Sequence, residues 1–299
     1  MPYYHMPDQE KLYVREFGQG QPILILSGLG MQSWQWLPFI YHLRHQYKFY
    51  IPDWRGFGKS SNCKIPNMDA ISSHWADISC LVDQLQLHQF KLIAYSMGAT
   101  TAMHGMSYGN FAEKISHYLH IDQSPKIKTD DLWAYGLFGE KHQNFKALLL
   151  ELSTFLAEHP EQFLQNYNST QRDALFKLWT KLVKFQSEDI FSSTLLKLSK
   201  KHSFLQTLVL PTQRLDYLKW YLDNYLYHDE DYRPAITQLN CPVTWISGEK
   251  SLLYPIAGQR DINQQIKNSN HIIFHKSGHA PLLQEPIKFR KVLTKFIKN

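Results

Sequence analysis

The stretch KLIAYSMGAT, Lys91–Thr100, decides how this chain folds. Its first half is a short apolar run, which is typical of a buried strand. Ser96 then stands between two small residues, Ala94 and Gly98. A nucleophilic serine on a tight strand-to-helix turn needs small neighbours on both sides, and the turn directs the next backbone N–H towards a developing oxyanion. The pattern predicts Ser96 as a nucleophile and Met97 as an oxyanion donor.

Strand-like and helical segments alternate on both sides of this turn. The strand-like runs are KLYVREF, PILILSG, YKFYIPD and ISHYLHID before residue 125, and CPVTWISG and HIIFHKSG after residue 235. Helical patterns separate them, and such alternation produces a parallel sheet. The sequence therefore predicts an α/β fold, with a mostly parallel central sheet flanked by helices.

The segment 126–234 interrupts this alternation. It has no strand pattern and reads as helices, including NFKALLLELSTFLAEH, QRDALFKLWTKLVKFQ, STLLKLSKKHSFLQTL and QRLDYLKWYLDNYLYH. Ligands bind outside the carboxyl ends of the strands in open α/β sheets, and an insertion at that edge would lie over them. We expect residues 1–125 and 235–299 to form the core and residues 126–234 an all-helical cap, or lid.

Composition excludes several classes of protein. Hydrophobic residues make up 43% of the 299 positions, which is ample for a core and argues against disorder. The net charge of +6 is moderate, and no dense basic run predicts nucleic-acid binding. The apolar runs are too short to span a membrane. Three scattered cysteines suit a reducing compartment rather than a disulfide framework or zinc site, so we expect a cytoplasmic protein without metal or cofactor.

A histidine near the end of the chain has the right surroundings for a catalytic base. His279 lies in KSGHAPLLQEP, directly after the last predicted strand. With the serine turn, this loop resembles the α/β-hydrolases, and the resemblance covers nearly the whole chain except the helical insertion. LSGLGMQSW resembles the family's oxyanion loop, with Ser27 in place of the usual histidine. The resemblance implies the Leu29 N–H as the second oxyanion donor, and a structural role for DWRGFGKSS, Asp53–Ser61.

The acid that should orient His279 is the open question. The family usually places it after the strand CPVTWISG, but that position holds Ser251, and Glu249 lies two residues earlier. Asp122 ends the strand that follows the nucleophile helix, at the same edge of the sheet as Ser96. Haloalkane dehalogenases take their acid from the corresponding strand. We favour Asp122, with Glu249, or no charged acid, as the alternatives.

These residues predict a carboxylic ester hydrolase, a serine esterase acting on an ester or thioester through an acyl-enzyme. Lys177, Lys181 and Lys184 share one face of a predicted cap helix, which indicates a solvated face or a docking surface for an acidic partner. Together with this basic face, the family resemblance implies one candidate substrate, an acyl methyl ester on an acyl carrier protein, as in pimeloyl methyl ester esterases. The alternatives are a catalytically weak small-ligand receptor or signalling protein, and a perhydrolase or acyltransferase.

Overall fold

A mostly parallel sheet of eight strands forms the centre of the chain in the computed structural model, which describes residues 2–186 and 210–299. The strands are β1 (Tyr3–His5), β2 (Lys11–Gly18), β3 (Gln21–Leu26), β4 (Tyr47–Pro52), β5 (Phe90–Tyr95), β6 (Ile115–Ile121), β7 (Val243–Gly248) and β8 (Ser269–Phe274). They lie in the order β1-β2-β4-β3-β5-β6-β7-β8. Strand β2 is antiparallel to both its neighbours, and strands β3 to β8 are parallel. The predicted fold class is confirmed.

Helices follow most of the strands. Their bounds are α1 (Leu37–Ile40), α2 (Ala70–Gln84), α3 (Met97–Tyr108), α4 (Phe111–Lys114), α5 (His142–Glu158), α6 (Ser169–Gln186), α7 (Leu215–Tyr227), α8 (Arg233–Thr237), α9 (Ile256–Gln265), α10 (Pro281–Gln284) and α11 (Pro286–Lys298). The helix expected after GLGMQSW is broken into α1 and two flanking 3₁₀ turns. The helix expected over STLLKLSKKHSFLQTL lies outside the described residues.

The core lies on the central strands because both of their faces are covered. Ile25, Ile93, Leu119 and Ile246, on β3, β5, β6 and β7, are all fully buried. Buried parallel strands carry continuous apolar runs, which is why these segments do not alternate in polarity. Helix α11 adds the apolar stripe at 289, 293, 296 and 297, spaced by the helical repeat.

The loop Asp53–Ser61 holds backbone groups in place. The Asp53 carboxylate accepts the Ser33 N–H at 2.7 Å and the Lys59 N–H at 3.0 Å. Gly58 has φ of 50°, and a Cβ there would lie 2.4 Å from Asp53 Oδ2, so only glycine fits. The buried Arg55 guanidinium donates to the carboxylate of Asp77. These contacts agree with the structural role that the family resemblance implies for this loop.

The chain divides into two compact units. The first comprises Met1–Gly139 and Asp229–Asn299 and contains the sheet, and the second comprises Glu140–His228. In the second unit α5 packs against both α6 and α7. This unit falls within the segment 126–234 expected to form the cap, and its role as a lid stays a prediction.

Candidate active site

Ser96 occupies a sharp turn between β5 and α3. Its backbone has φ of 51° and ψ of −124°, a conformation rarely adopted by a residue with a side chain, which costs about 1–3 kcal/mol. A Cβ on Gly98 would lie 2.3 Å from the Leu26 carbonyl oxygen, so α3 can approach β3 this closely only with glycine there. The turn places the Ser96 side chain beyond the carboxyl end of β5.

His279 reaches Ser96 from the loop between β8 and α10. Its Nε2 lies 2.8 Å from Ser96 Oγ. Its ring lies against Tyr95 and Tyr254, with centroid distances of 5.4 and 5.7 Å. The Tyr95 hydroxyl donates to the His279 backbone carbonyl at 3.1 Å, and burial raises the pKa of Tyr95, so this donor keeps its proton. Aromatic contacts and one hydrogen bond therefore fix the imidazole beside the serine.

Asp122 meets the other side of the imidazole. The Ser96 N–H donates to the Ile121 carbonyl and the Asp122 N–H to the Ile246 carbonyl, so both turns are tied to the neighbouring strand. Asp122 Oδ2 lies 2.7 Å from His279 Nδ1, and the carboxyl group is fully buried. An ionised carboxylate can only accept, so Nδ1 carries the proton and Nε2 is left to accept from the Ser96 hydroxyl.

The end of β7 supplies no carboxylate to His279. Glu249 lies in the turn after β7, where its Oε2 is 2.7 Å from His275 Nδ1 and its Oε1 is 3.5 Å from an Arg260 nitrogen. Ser251, at the usual acid position, donates its hydroxyl to Asp122 Oδ2 at 2.7 Å. The structure therefore brings together Ser96, His279 and Asp122, and pairs Glu249 with other groups. The catalytic roles of all four stay predictions.

The two expected oxyanion donors lie on backbone next to Ser96. Met97 is the first residue of α3, where N–H groups have no acceptor within the helix. A Cβ on Gly28 would lie 3.3 Å from Ser96 Cβ and 2.9 Å from the Tyr95 ring. The loop that carries Leu29 therefore packs directly against the serine turn. The oxyanion role of Leu29 and Met97 stays a prediction.

Two residues near Asp122 were not predicted from the sequence to belong to the site. His120, on β6, is fully buried, stacks on Trp245 at 3.7 Å and donates from Nε2 to the Gln123 carbonyl at 2.8 Å. Burial lowers its pKa to about 4, so it is neutral. Gln259, on α9, donates to Asp122. His120 is a polar residue inside an apolar strand, and this pattern could have indicated it. Gln259 belongs to no recognisable motif.

Among residues 2–186 and 210–299, no group of three or more histidine, cysteine, aspartate or glutamate side chains is placed to hold a metal ion. No helix there has the length and apolar content needed to cross a bilayer.

A serine, a histidine and an aspartate joined by hydrogen bonds at the carboxyl edge of a mostly parallel sheet define the class of the α/β hydrolases. The family model described as "alpha/beta hydrolase fold" matches residues 21–286. The chain belongs to the α/β hydrolase family.

Curated relatives and solved structures match the chain over nearly its full length. A pimeloyl-[acyl-carrier protein] methyl ester esterase of Vibrio campbellii is 23% identical over 274 residues, covering 92% of this chain and 93% of the relative. The enzyme of the same name from Legionella pneumophila is 23% identical and covers 96% and 99%. The structure of an esterase from Exiguobacterium antarcticum superimposes with a TM-score of 0.73 at 20% identity, covering 99% of both chains.

Proposed function

We propose that this protein is a serine esterase that cleaves a carboxylic ester or thioester through an acyl-enzyme. The observation that carries the proposal is the unbroken chain of hydrogen bonds from Ser96 through His279 to Asp122. The names of the relatives, which are ester hydrolases, point in the same direction.

In the first half of the reaction Ser96 forms the acyl-enzyme. Its Oγ attacks the carbonyl carbon of the substrate, while His279 Nε2 takes the hydroxyl proton. The new imidazolium is stabilised by the ionised Asp122 at Nδ1. The carbon–oxygen or carbon–sulfur bond then breaks, and the alcohol or thiol leaves with the proton from His279.

In the second half, water releases the acid. His279 Nε2 takes a proton from a water molecule, whose oxygen attacks the acyl carbon. The bond to Ser96 Oγ breaks, and the proton on His279 returns to that oxygen. In both halves the Met97 and Leu29 N–H groups donate to the negative oxygen of the tetrahedral intermediate.

The first test uses simple esters and a fluorophosphonate. We expect hydrolysis of nitrophenyl esters of graded acyl length, and covalent labelling at Ser96 identified by mass spectrometry of the labelled peptide. Ser96→Ala should lose both, while melting with the same cooperativity as the wild type. A wild-type protein inert to esters and to the label would contradict the proposal and favour the small-ligand receptor.

We further propose that the acyl group is presented as a methyl ester on an acyl carrier protein. The relatives are named for that substrate. Lys177, Lys181 and Lys184 are all exposed on α6, and Lys181 also pairs with Glu151 at 2.8 Å. An exposed basic face attracts an acidic carrier and speeds its encounter with the enzyme.

If the lysine face of α6 binds the carrier, its charge should affect KM for the carrier-bound substrate and not KM for the free substrate. Lys177→Glu combined with Lys184→Glu should raise KM for the carrier-bound methyl ester several-fold, and leave KM for the free methyl ester unchanged. Lys291→Glu, a charge reversal at an exposed position of α11, is the matched control. Equal KM changes for both substrates, or none, would contradict a carrier-docking role for this face.

Two expectations accompany the proposal. The segment 126–234, which includes the compact unit Glu140–His228, is proposed to act as a lid for the substrate. We also propose a cytoplasmic location, and the three cysteines, Cys63, Cys80 and Cys241, are free thiols in keeping with it.

A further inference from the structure

The Asp122 carboxylate is saturated with hydrogen bonds. Oδ2 accepts from His279 Nδ1 and from Ser251 Oγ, both at 2.7 Å. Oδ1 accepts from the Gly248 N–H at 2.8 Å and from Gln259 Nε2 at 2.9 Å. A fully buried charge must be held by such donors, and they also determine the direction in which the carboxylate points.

The orientation of the Gln259 amide is fixed by its other contacts. Its Oε1 receives the Trp245 indole N–H at 3.0 Å and the Ser247 hydroxyl at 2.6 Å. An indole nitrogen can only donate, so the oxygen end of the amide must face Trp245, and the nitrogen end faces Asp122. Gln259 Nε2 also donates to the Tyr254 carbonyl oxygen, which lies 3.3 Å from the nitrogen. Each end of the amide therefore has two partners, and the side chain is 1% exposed.

The chain of hydrogen bonds continues beyond Gln259. Because Ser247 donates to Gln259, it accepts from His271, whose Nε2 lies 2.8 Å from Ser247 Oγ. Burial lowers the pKa of His271 to about 4, which keeps this imidazole neutral. Side chains from β7, β8 and α9 are thereby joined to the carboxylate that ends β6. Fully satisfied networks of this kind rigidify their members.

We propose that Ser251 and Gln259 are positioning residues. Each donates to one oxygen of the Asp122 carboxylate and so holds it in the orientation that bonds to His279. This inference rests on the proposed serine-esterase function. Ser251 occupies the place where the family usually has its acid, and here it supplies a donor to an acid from the neighbouring strand. Neither side chain is hydrogen-bonded to Ser96 or His279, and both meet the site through the Asp122 carboxylate.

The test is a set of double-mutant cycles on ester hydrolysis. Ser251→Ala and Gln259→Met each remove one donor to the carboxylate, and each should lower kcat roughly tenfold to a hundredfold, with KM within about twofold. Ser251→Thr keeps the hydroxyl and should restore most of the rate. In the Asp122→Asn background neither Ser251→Ala nor Gln259→Met should lower kcat further, because the group they position is already gone.

Controls separate this role from a loss of folding and from failure of the esterase proposal. Ser60→Ala removes a buried hydroxyl that accepts the Tyr13 N–H at 2.9 Å and should leave kcat unchanged. Fluorophosphonate titration counts the competent sites in each variant. An inert wild type would overturn the esterase proposal itself. Two results with an active wild type would overturn only the positioning role. One is a wild-type kcat in Ser251→Ala and Gln259→Met. The other is that each substitution lowers kcat by the same factor in the Asp122→Asn background as in the wild type.

Discussion

Two neighbouring strand ends, those of β6 and β7, are each followed by a carboxylate, and the two carboxylates have different partners. Asp122 after β6 is fully buried and bonds to His279. Glu249 after β7 has a side chain 38% exposed and pairs with His275. An exposed pair of this kind is solvated and contributes little, whereas a buried carboxylate is held in one geometry by every donor around it. Asp122 is distinguished as the candidate acid by its burial and by the fixed orientation of its carboxylate. Glu249 lies closer in sequence to Ser251, the family's usual acid position, but has neither property.

The largest expected effect separates these two carboxylates directly. Asp122→Asn should lower kcat for ester hydrolysis roughly 10³- to 10⁴-fold, because the imidazole loses its charge partner and its correct tautomer. Glu249→Gln, the matched change at the other strand end, should stay within about twofold. Steady-state kinetics with titrated enzyme measure both. A full loss in Glu249→Gln with an active Asp122→Asn would reverse the assignment.

Moving the acid between the strand ends should recover part of the loss. Ser251 Oγ lies 2.7 Å from Asp122 Oδ2, the oxygen that contacts His279. In the double variant Asp122→Asn with Ser251→Asp, a carboxylate returns next to Nδ1, and kcat should rise at least about tenfold above Asp122→Asn alone. Rates equal to those of the single variant would mean that the β7 turn cannot direct a carboxylate at the imidazole.

Acid should weaken the fold through the buried histidine of β6. The pKa of His120 falls from the usual 6.5 to about 4 through burial. Between these values the unfolded chain binds the proton and the folded chain does not, so the free energy of unfolding falls as the pH drops through this window. This histidine accounts for up to about 3 kcal/mol.

Denaturant unfolding at several pH values between 7 and 4 measures this dependence. His120→Phe should reduce the slope of the free energy of unfolding against pH by the amount that corresponds to about one bound proton. His45→Gln, at an exposed histidine, should leave this slope unchanged. A slope unaltered by His120→Phe would show that other groups cause the acid sensitivity.

The smallest effect is expected at the β7 turn. Removing the exposed partners of Glu249 by His275→Gln or Arg260→Gln should change the free energy of unfolding by less than about 1 kcal/mol, and kcat by less than about twofold. Thermal melts and ester kinetics on the same preparations check this. A large rate loss in His275→Gln would couple the β7 turn to the chemistry.

The sequence predicts the strands, the serine turn and the loop of His279 because each depends on local patterns. A buried strand, a small-x-Ser-x-Gly turn and a Gly-His-x-Pro loop can be recognised without knowing what packs against them. The strand end carrying Asp122 follows from the parallel topology, but the choice between Asp122 and Glu249 does not, because it depends on side-chain directions after the strands end. Gln259 lies on a helix far along the chain, and only the folded sheet brings it to Asp122.

Proton NMR can observe the hydrogen bond between His279 and Asp122 directly. A strongly downfield resonance should arise from His279 Nδ1–H, assigned by its absence in His279→Gln. The structure predicts that this resonance persists in Glu249→Gln and is lost in Asp122→Asn. A resonance that survives Asp122→Asn and disappears in Glu249→Gln would show that Glu249, and not Asp122, accepts the His279 proton.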